Sequence, residues 1–152
     1  MKRLVVLLVI MLSGCQGGWF SGETQGDVCP NVQILRDKSY LTQYVNYKET
    51  FQVSINGYEG YCYYDENLER HRAIIYPVFK IKRLTPSDET DVRFSYYTET
   101  VKGPPAYLGK KTYFANAHIK AGELETYYKA PAAKVFIPSE SGYDYDINLS
   151  DY

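Results

Sequence analysis

The sequence predicts an all-β domain, an antiparallel sandwich or barrel of short strands, and three observations carry that prediction. Apolar and polar residues alternate with period two through Phe51 to Ile55 and Val92 to Tyr96, the pattern of a strand with one buried face. Turn chemistry such as Thr85-Pro86-Ser87-Asp88 and Gly103-Pro104-Pro105 recurs at roughly ten-residue spacing. Tyrosine, which packs well on a pleated and half-buried surface, occurs 17 times in 152 residues, and no long helical periodicity exists beyond residue 15.

The chain begins with a segment outside the sandwich. Lys2 and Arg3 precede an uninterrupted apolar stretch, Leu4 to Leu12, and Ser13-Gly14-Cys15 closes it. A positive n-region, an apolar h-region and small residues at a cut site make a secretory signal. The apolar run, about nine residues, is too short for a stable spanning helix, which needs roughly 20. Leu12-Ser13-Gly14-Cys15 resembles the lipobox of bacterial lipoproteins. That resemblance implies diacylglyceryl transfer to the Cys15 thiol, cleavage between Gly14 and Cys15, and acylation (palmitate or a similar chain) of the new amino terminus. It thus implies a signal peptide over residues 1–14 and a membrane partner reached through the lipid on Cys15. The expected location is the bacterial cell envelope, facing the periplasm. Gln16 stands where an aspartate holds some lipoproteins at the inner membrane, which favours the outer one. Residues 15–28 are expected to be the lipidated cysteine and a flexible tether, because QGGWFSGETQGD is linker composition; such a coil spans about 20 Å. Trp19-Phe20 within it has two readings, an aromatic anchor at the bilayer interface or a pair folded back on the domain.

The sandwich domain is expected over residues 29–152. Cys29 to Leu35 forms a first strand, with Pro30 at its start where no ladder donor is lost. Asp37 followed by Tyr40, Leu41 and Tyr44 has the spacing of one or two helical turns behind an N-cap. Phe51, Val53 and Ile55 mark a half-buried strand. Gly57 and Gly60 then allow either a bulge, with the strand running on to Tyr64, or a hairpin at Asn56-Gly57. Asp65-Glu66-Asn67 returns the chain into Ala73 to Leu84, where Pro77 calls for an edge position or a bulge. Val92 to Tyr96, Thr112 to Ile119, Leu124 to Tyr128, Ala133 to Ile137 and Tyr143 to Leu149 complete seven or eight strands. Such a count points to an immunoglobulin-like or fibronectin-like sandwich. The segments CPNVQIL, LTQY and GYEGYCYY resemble recurring segments of small proteobacterial lipoproteins with no assigned activity. The resemblance covers about the first half of the domain; it supports the envelope address and the disulfide and carries over no catalytic residue.

Composition narrows the function classes. Cleavage before Cys15 would leave 138 of the 152 residues, one domain's worth. Loss of Lys2 and Arg3 takes 17 basic residues to 15 against 18 acidic ones, a net charge of about −3, which lacks the basic footprint of a nucleic-acid binder. Three cysteines are present; lipidation of Cys15 would leave Cys29 and Cys62 as natural partners in an oxidising periplasm. The rival reading of that pair is two reduced thiols or half of a metal site.

No catalytic residue, cofactor or metal site is expected. His71 sits among charges in Glu69-Arg70-His71-Arg72, and His118 alternates with apolar neighbours on a strand. Neither has the partners of a general base. Asp88, Glu89 and Asp91, and Asp144, Asp146 and Asp151, lack the spacing of a calcium loop. Tyrosine carries the remaining signal. Adjacent pairs such as Tyr96-Tyr97 and Tyr127-Tyr128 must point to opposite faces of a strand. Tyr58, Tyr61, Tyr63, Tyr97 and Tyr128 are therefore candidates for a contact surface. The functional expectation is a non-enzymatic, lipid-anchored domain that binds an envelope protein; a glycan- or peptidoglycan-binding module is the alternative, and a hydrolase-like enzyme the third reading.

Overall fold

The computed structural model describes residues 19–20, 29–102, 106–136 and 143–150; the expected signal, Cys15 and the Gly103-Pro104-Pro105 turn lie outside them. The described residues form two sheets packed face to face, the all-β sandwich that the alternation predicts. Ten strand segments are present among them: β1 (Trp19–Phe20), β2 (Asn31–Ile34), β3 (Tyr40–Val45), β4 (Lys48–Asp65), β5 (Arg70–Arg83), β6 (Asp91–Lys102), β7 (Ala106–His118), β8 (Glu125–Lys129), β9 (Ala133–Phe136) and β10 (Asp144–Ser150). Two of these, β1 and β3, account for the excess over eight.

The first sheet is built on the long β4–β5 hairpin. β3 and β1 share the free edge of β4, and β8 and β9 share the far edge of β5. The second sheet runs β2-β10-β6-β7, with β2 parallel to β10 and the rest antiparallel. The inward rows meet in one core, where Phe79 packs against Phe94 and Tyr96, each pair with ring centroids 4.9 Å apart. Tyr96 stacks in turn on Tyr113 at 5.0 Å. Aromatic pairs of this kind contribute about 0.5–1.5 kcal/mol each beyond their area.

One local reading changes on the structure, and two that were open are settled. Tyr40 to Val45 is a strand, where the spacing of Tyr40, Leu41 and Tyr44 had suited a helix. Only Leu41 of that trio is buried, and a 3-10 turn over Arg36–Lys38 precedes it. Asn46 and Tyr47, both at positive φ, make the two-residue turn into β4, the backbone that a tight hairpin requires. The Gly57 ambiguity resolves as a bulge: the β4–β5 register shifts between Ile55 and Gly57, and Gly57 has φ 140°. Pro77 lies inside the sheet rather than on an edge strand. It faces Tyr58 on one side, while on the other β5 changes partner from β8 to β9, and its carbonyl accepts from the Ala130 amide at 2.8 Å. The missing donor thus falls where no ladder bond is asked of it.

Two ties hold the layers together. Cys29 and Cys62 are disulfide-bonded with Cα atoms 5.7 Å apart, which links the start of β2 in one sheet to β4 in the other. At the opposite end, Arg83 is buried, with no carboxylate paired to it among the described residues. Its guanidinium donates to the carbonyls of Ser87, Lys120 and Glu123 and to the Ser87 hydroxyl, and it lies 5.0 Å from the Phe51 ring centroid. A buried cation is tolerated only when its donors are satisfied in this way.

Candidate functional site

The Gly57 bulge decides which tyrosines reach solvent. Before it, the inward residues of β4 are Phe51, Val53 and Ile55, opposite Arg83, Ile81 and Phe79. After it, the inward set is Tyr58, Gly60 and Cys62, opposite Pro77, Ile75 and Ala73. One extra residue changes the parity, so Glu59, Tyr61 and Tyr63 turn to the outer face with Ile74 and Tyr76 of β5 as neighbours. Tyr127 of β8, opposite Lys80, and Tyr40 of β3, opposite Ser54, extend that face across the sheet.

The result is an aromatic surface laced with ion pairs. Tyr61 and Tyr63 have ring centroids 6.1 Å apart. Lys129 lies 4.8 Å over the Tyr76 ring and pairs with Glu59. Lys80 lies 5.8 Å over the Tyr127 ring and pairs with Glu125 at 2.9 Å, a hydrogen bond that raises the lysine pKa. Arg72 pairs with Asp65 at 3.1 Å. The two exposed lysine pairs contribute about 0–1 kcal/mol each. Their consequence is orientation, because they hold long side chains flat against the rings.

Of the five tyrosines expected at a contact surface, the structure brings two together. Tyr61 is 40% exposed and Tyr63 is half-buried beside it. Tyr58 packs against the core, and burial raises its pKa. Tyr128 also faces inward, where its ring meets Phe79 at 6.5 Å and Phe94 at 6.0 Å. Its neighbour Tyr127 is the exposed member of that pair, at 56%. Tyr97 does lie on the outer face of β6, opposite the inward Tyr96, but it is only 5% exposed, with the Lys110 ammonium 3.6 Å above its ring. Adjacency tells that a pair splits between faces; which member faces out depends on the cross-strand partner, and sequence spacing does not contain that. Tyr76 escaped notice within the apolar run AIIYPVFKIKRL, although counting back by odd steps from the inward Phe79 places it outside.

The histidines stand apart from this face and from each other. His118 ends β7 at 63% side-chain exposure, with Nδ1 3.5 Å from Asp91 Oδ1 on the paired strand. His71 packs edge-on to the Tyr64 ring at 5.0 Å. Among the described residues no three His, Cys, Asp or Glu side chains converge as a metal site would need, and no helix is long and apolar enough to cross a membrane. Comparison with protein-family models, curated proteins and solved structures returned no match to the chain.

Proposed function

We propose that this chain is a lipid-anchored domain of the bacterial cell envelope, held through Cys15 and acting by binding a protein partner with the outer face of its first sheet. The observation that carries the binding reading is the tyrosine row itself. Tyr61, Tyr63, Tyr76 and Tyr127 share one sheet face, and tyrosine is enriched at protein interfaces because a rigid ring supplies contact area at low entropic cost. The lysines over Tyr76 and Tyr127 occupy ring faces that a sugar would stack on. That favours a protein over a glycan. The lipobox-like run ending at Cys15 supports the envelope address, and the paired charges around the rings give the surface a polar rim.

Site-specific photocrosslinking in intact cells tests the face. A benzophenone amino acid placed at Tyr61 or Tyr127 should give one discrete protein adduct. The same probe at Phe114, exposed on the other sheet, should not give it. Equal adducts from Phe114, or none from either tyrosine position, would overturn the assignment, and retention of the domain on purified cell wall at physiological salt would favour the glycan reading instead.

A further inference from the structure

Every open sheet ends in edge strands, and the unpaired backbone groups along an edge are a template for any strand that reaches them. Most edges of this molecule are short or broken. β2 and β9 have four residues each and β8 has five, while β3 has six with a register shift between Gln43 and Tyr44. β7 is the exception, at 13 residues. It pairs with β6 along one side and with no described strand along the other. Its register with β6 is unbroken from Gly109 to His118, and Thr112 to Ala117 include no charge, proline or glycine. Such an edge lacks the devices that keep sheets from joining.

Phe114 sits in the middle of that uncharged run. It lies on the outer face opposite Ser95 and is 80% exposed, whereas its neighbour Ala115 is buried. Two copies of one strand can pair antiparallel about a two-fold axis normal to the sheet, which keeps the inward row of each copy on the inward side. An axis through Phe114 sets that ring beside its own copy, an aromatic cross-strand pair. It sets Thr112 beside Asn116 of the second copy on the outer face, and Tyr113 beside Ala115 on the inner one, large against small. At each end Lys110 comes beside His118 of the other copy, whose Nδ1 is 3.5 Å from the Asp91 carboxylate. A cation of one copy is thereby brought toward an acid of the other. Other registers lose this match. Centring on Tyr113 sets Phe114 against Thr112, centring on Ala115 sets Lys110 against Lys120, and centring on Lys111 sets lysine on lysine. Charge complementarity and aromatic pairing coincide in one register, and the partner they fit is a second copy of this chain.

We propose that the free edge of β7 is a homodimer interface, in which two copies pair antiparallel about Phe114 and join their four-stranded sheets into one of twice the width. The contact covers one edge and one outer row, which places it among small interfaces, below about 1,200 Å². The dimer therefore exchanges with monomer. The tyrosine face belongs to the other sheet, so the proposal stands whatever that face binds and whatever Cys15 carries.

Cysteine capture in the detergent-solubilised full chain tests it, in a Cys15→Ser background where Cys29 and Cys62 are bonded to each other. Directly opposed residues of antiparallel strands have Cα atoms about 4.5–5.5 Å apart, within disulfide range. Phe114→Cys should therefore give a disulfide-linked dimer on mild oxidation. Thr112→Cys alone should not, because its own copy lies about 14 Å away along the strand, but mixed with Asn116→Cys chains it should give the mixed dimer. Sedimentation without oxidation supplies a second reading, in which Phe114→Lys should raise the dimer dissociation constant by roughly tenfold or more. Tyr47→Lys, at a fully exposed position in the β3–β4 turn, should leave it unchanged. Phe114 is exposed, so its variants keep the fold, which a parallel melt checks. In intact cells a photocrosslinking probe at Phe114 should give an adduct of dimer mass, distinct from any partner adduct at Tyr61 or Tyr127. No capture at Phe114→Cys, equal capture at Thr112→Cys, or a dissociation constant that Phe114→Lys leaves unchanged overturns the proposal. An adduct at Phe114 with a foreign protein in place of the self-adduct assigns the edge to another strand and overturns it as well.

Discussion

Asp146 shows how a single side chain departs from what its strand pattern implies. It lies on the outer face of β10, where Tyr145 and Ile147 point into the core. Yet Asp146 is buried, Asn148 beside it is fully buried, and Asp146 Oδ1 and both amide atoms of Asn148 have no hydrogen-bond partner among the described residues. Burial raises the Asp146 pKa above 3.8, Asp144 and Glu99 add to the rise, and Lys38 opposes it. A raised carboxyl holds its proton in the folded state at a pH where the unfolded chain has lost it. The folded state then binds more protons, and stability falls as pH rises through that interval. At neutral pH the charged carboxylate therefore costs stability. Asp146→Asn is expected to raise the unfolding midpoint at pH 7, by about 1 kcal/mol for a buried charge removed, and to lose that advantage as the pH approaches 3.8. Thermal melts of both proteins across this range check it; an advantage that grew toward acid would contradict the assignment. A two-residue period names the face of a residue, but burial on an outer face comes from whatever lies across it, as Lys110 lies across Tyr97. That information is not local in the chain.

Among the elements, β4 is where local pattern and final geometry differ most instructively. Its two halves each alternate cleanly, and only the parity change at Gly57 converts Tyr61 and Tyr63 from core residues into surface ones. Glycine serves there because φ 140° strains any residue with a Cβ. Gly57→Ala should cost about 1–3 kcal/mol in a denaturant titration; an unchanged midpoint would mean that the bulge can move without penalty. The disulfide constrains the same strand at Cys62, closing a separation of 33 residues. Its removal by Cys29→Ser with Cys62→Ser should lower stability by roughly 3–4 kcal/mol on the chain-entropy model, which the same titration reads. Most strands were legible because period two survives in a sheet with one buried face. β3 was not, because Tyr40 and Tyr44 face outward and Leu41 alone is buried, which leaves an i, i+1, i+4 spacing with no core meaning. For Pro77 the edge alternative failed because a donor gap between β8 and β9 is a property of two other strands, whereas the bulge alternative falls one residue pair away, at Gly57 opposite Val78.

At the scale of the whole molecule, the N-terminal segment carries more constraint than its linker composition suggests. The backbone of Trp19–Phe20 pairs with β4 at Glu59 and Gly60, which agrees with the reading in which this pair folds back on the domain. Only three residues separate Cys15 from Trp19, and four extended steps reach at most about 14 Å, less than the roughly 20 Å coil that twelve free residues would give. Under the proposed lipidation, the β4 edge would thus be held within about 14 Å of the lipidated Cys15. The proposed attachment would rest on the acyl chains, at about 0.8 kcal/mol per buried methylene. A chain with 15 basic and 18 acidic residues beyond residue 14 would gain nothing from anionic headgroups. High salt should therefore leave the wild type in the membrane fraction, whereas a charge-held peripheral protein would be released. Cys15→Ser should abolish lipid transfer and move the protein out of that acyl-dependent fraction, while the Cys29–Cys62 bond and the unfolding midpoint of the sandwich stay as they are, because Cys15 lies before the first paired strand. Fractionation with a parallel melt reads both arms, and metabolic labelling with a palmitate analogue reports the acylation directly. Wild-type protein that takes up no label, or a Cys15→Ser variant that still labels, would refute the anchor and with it the envelope address.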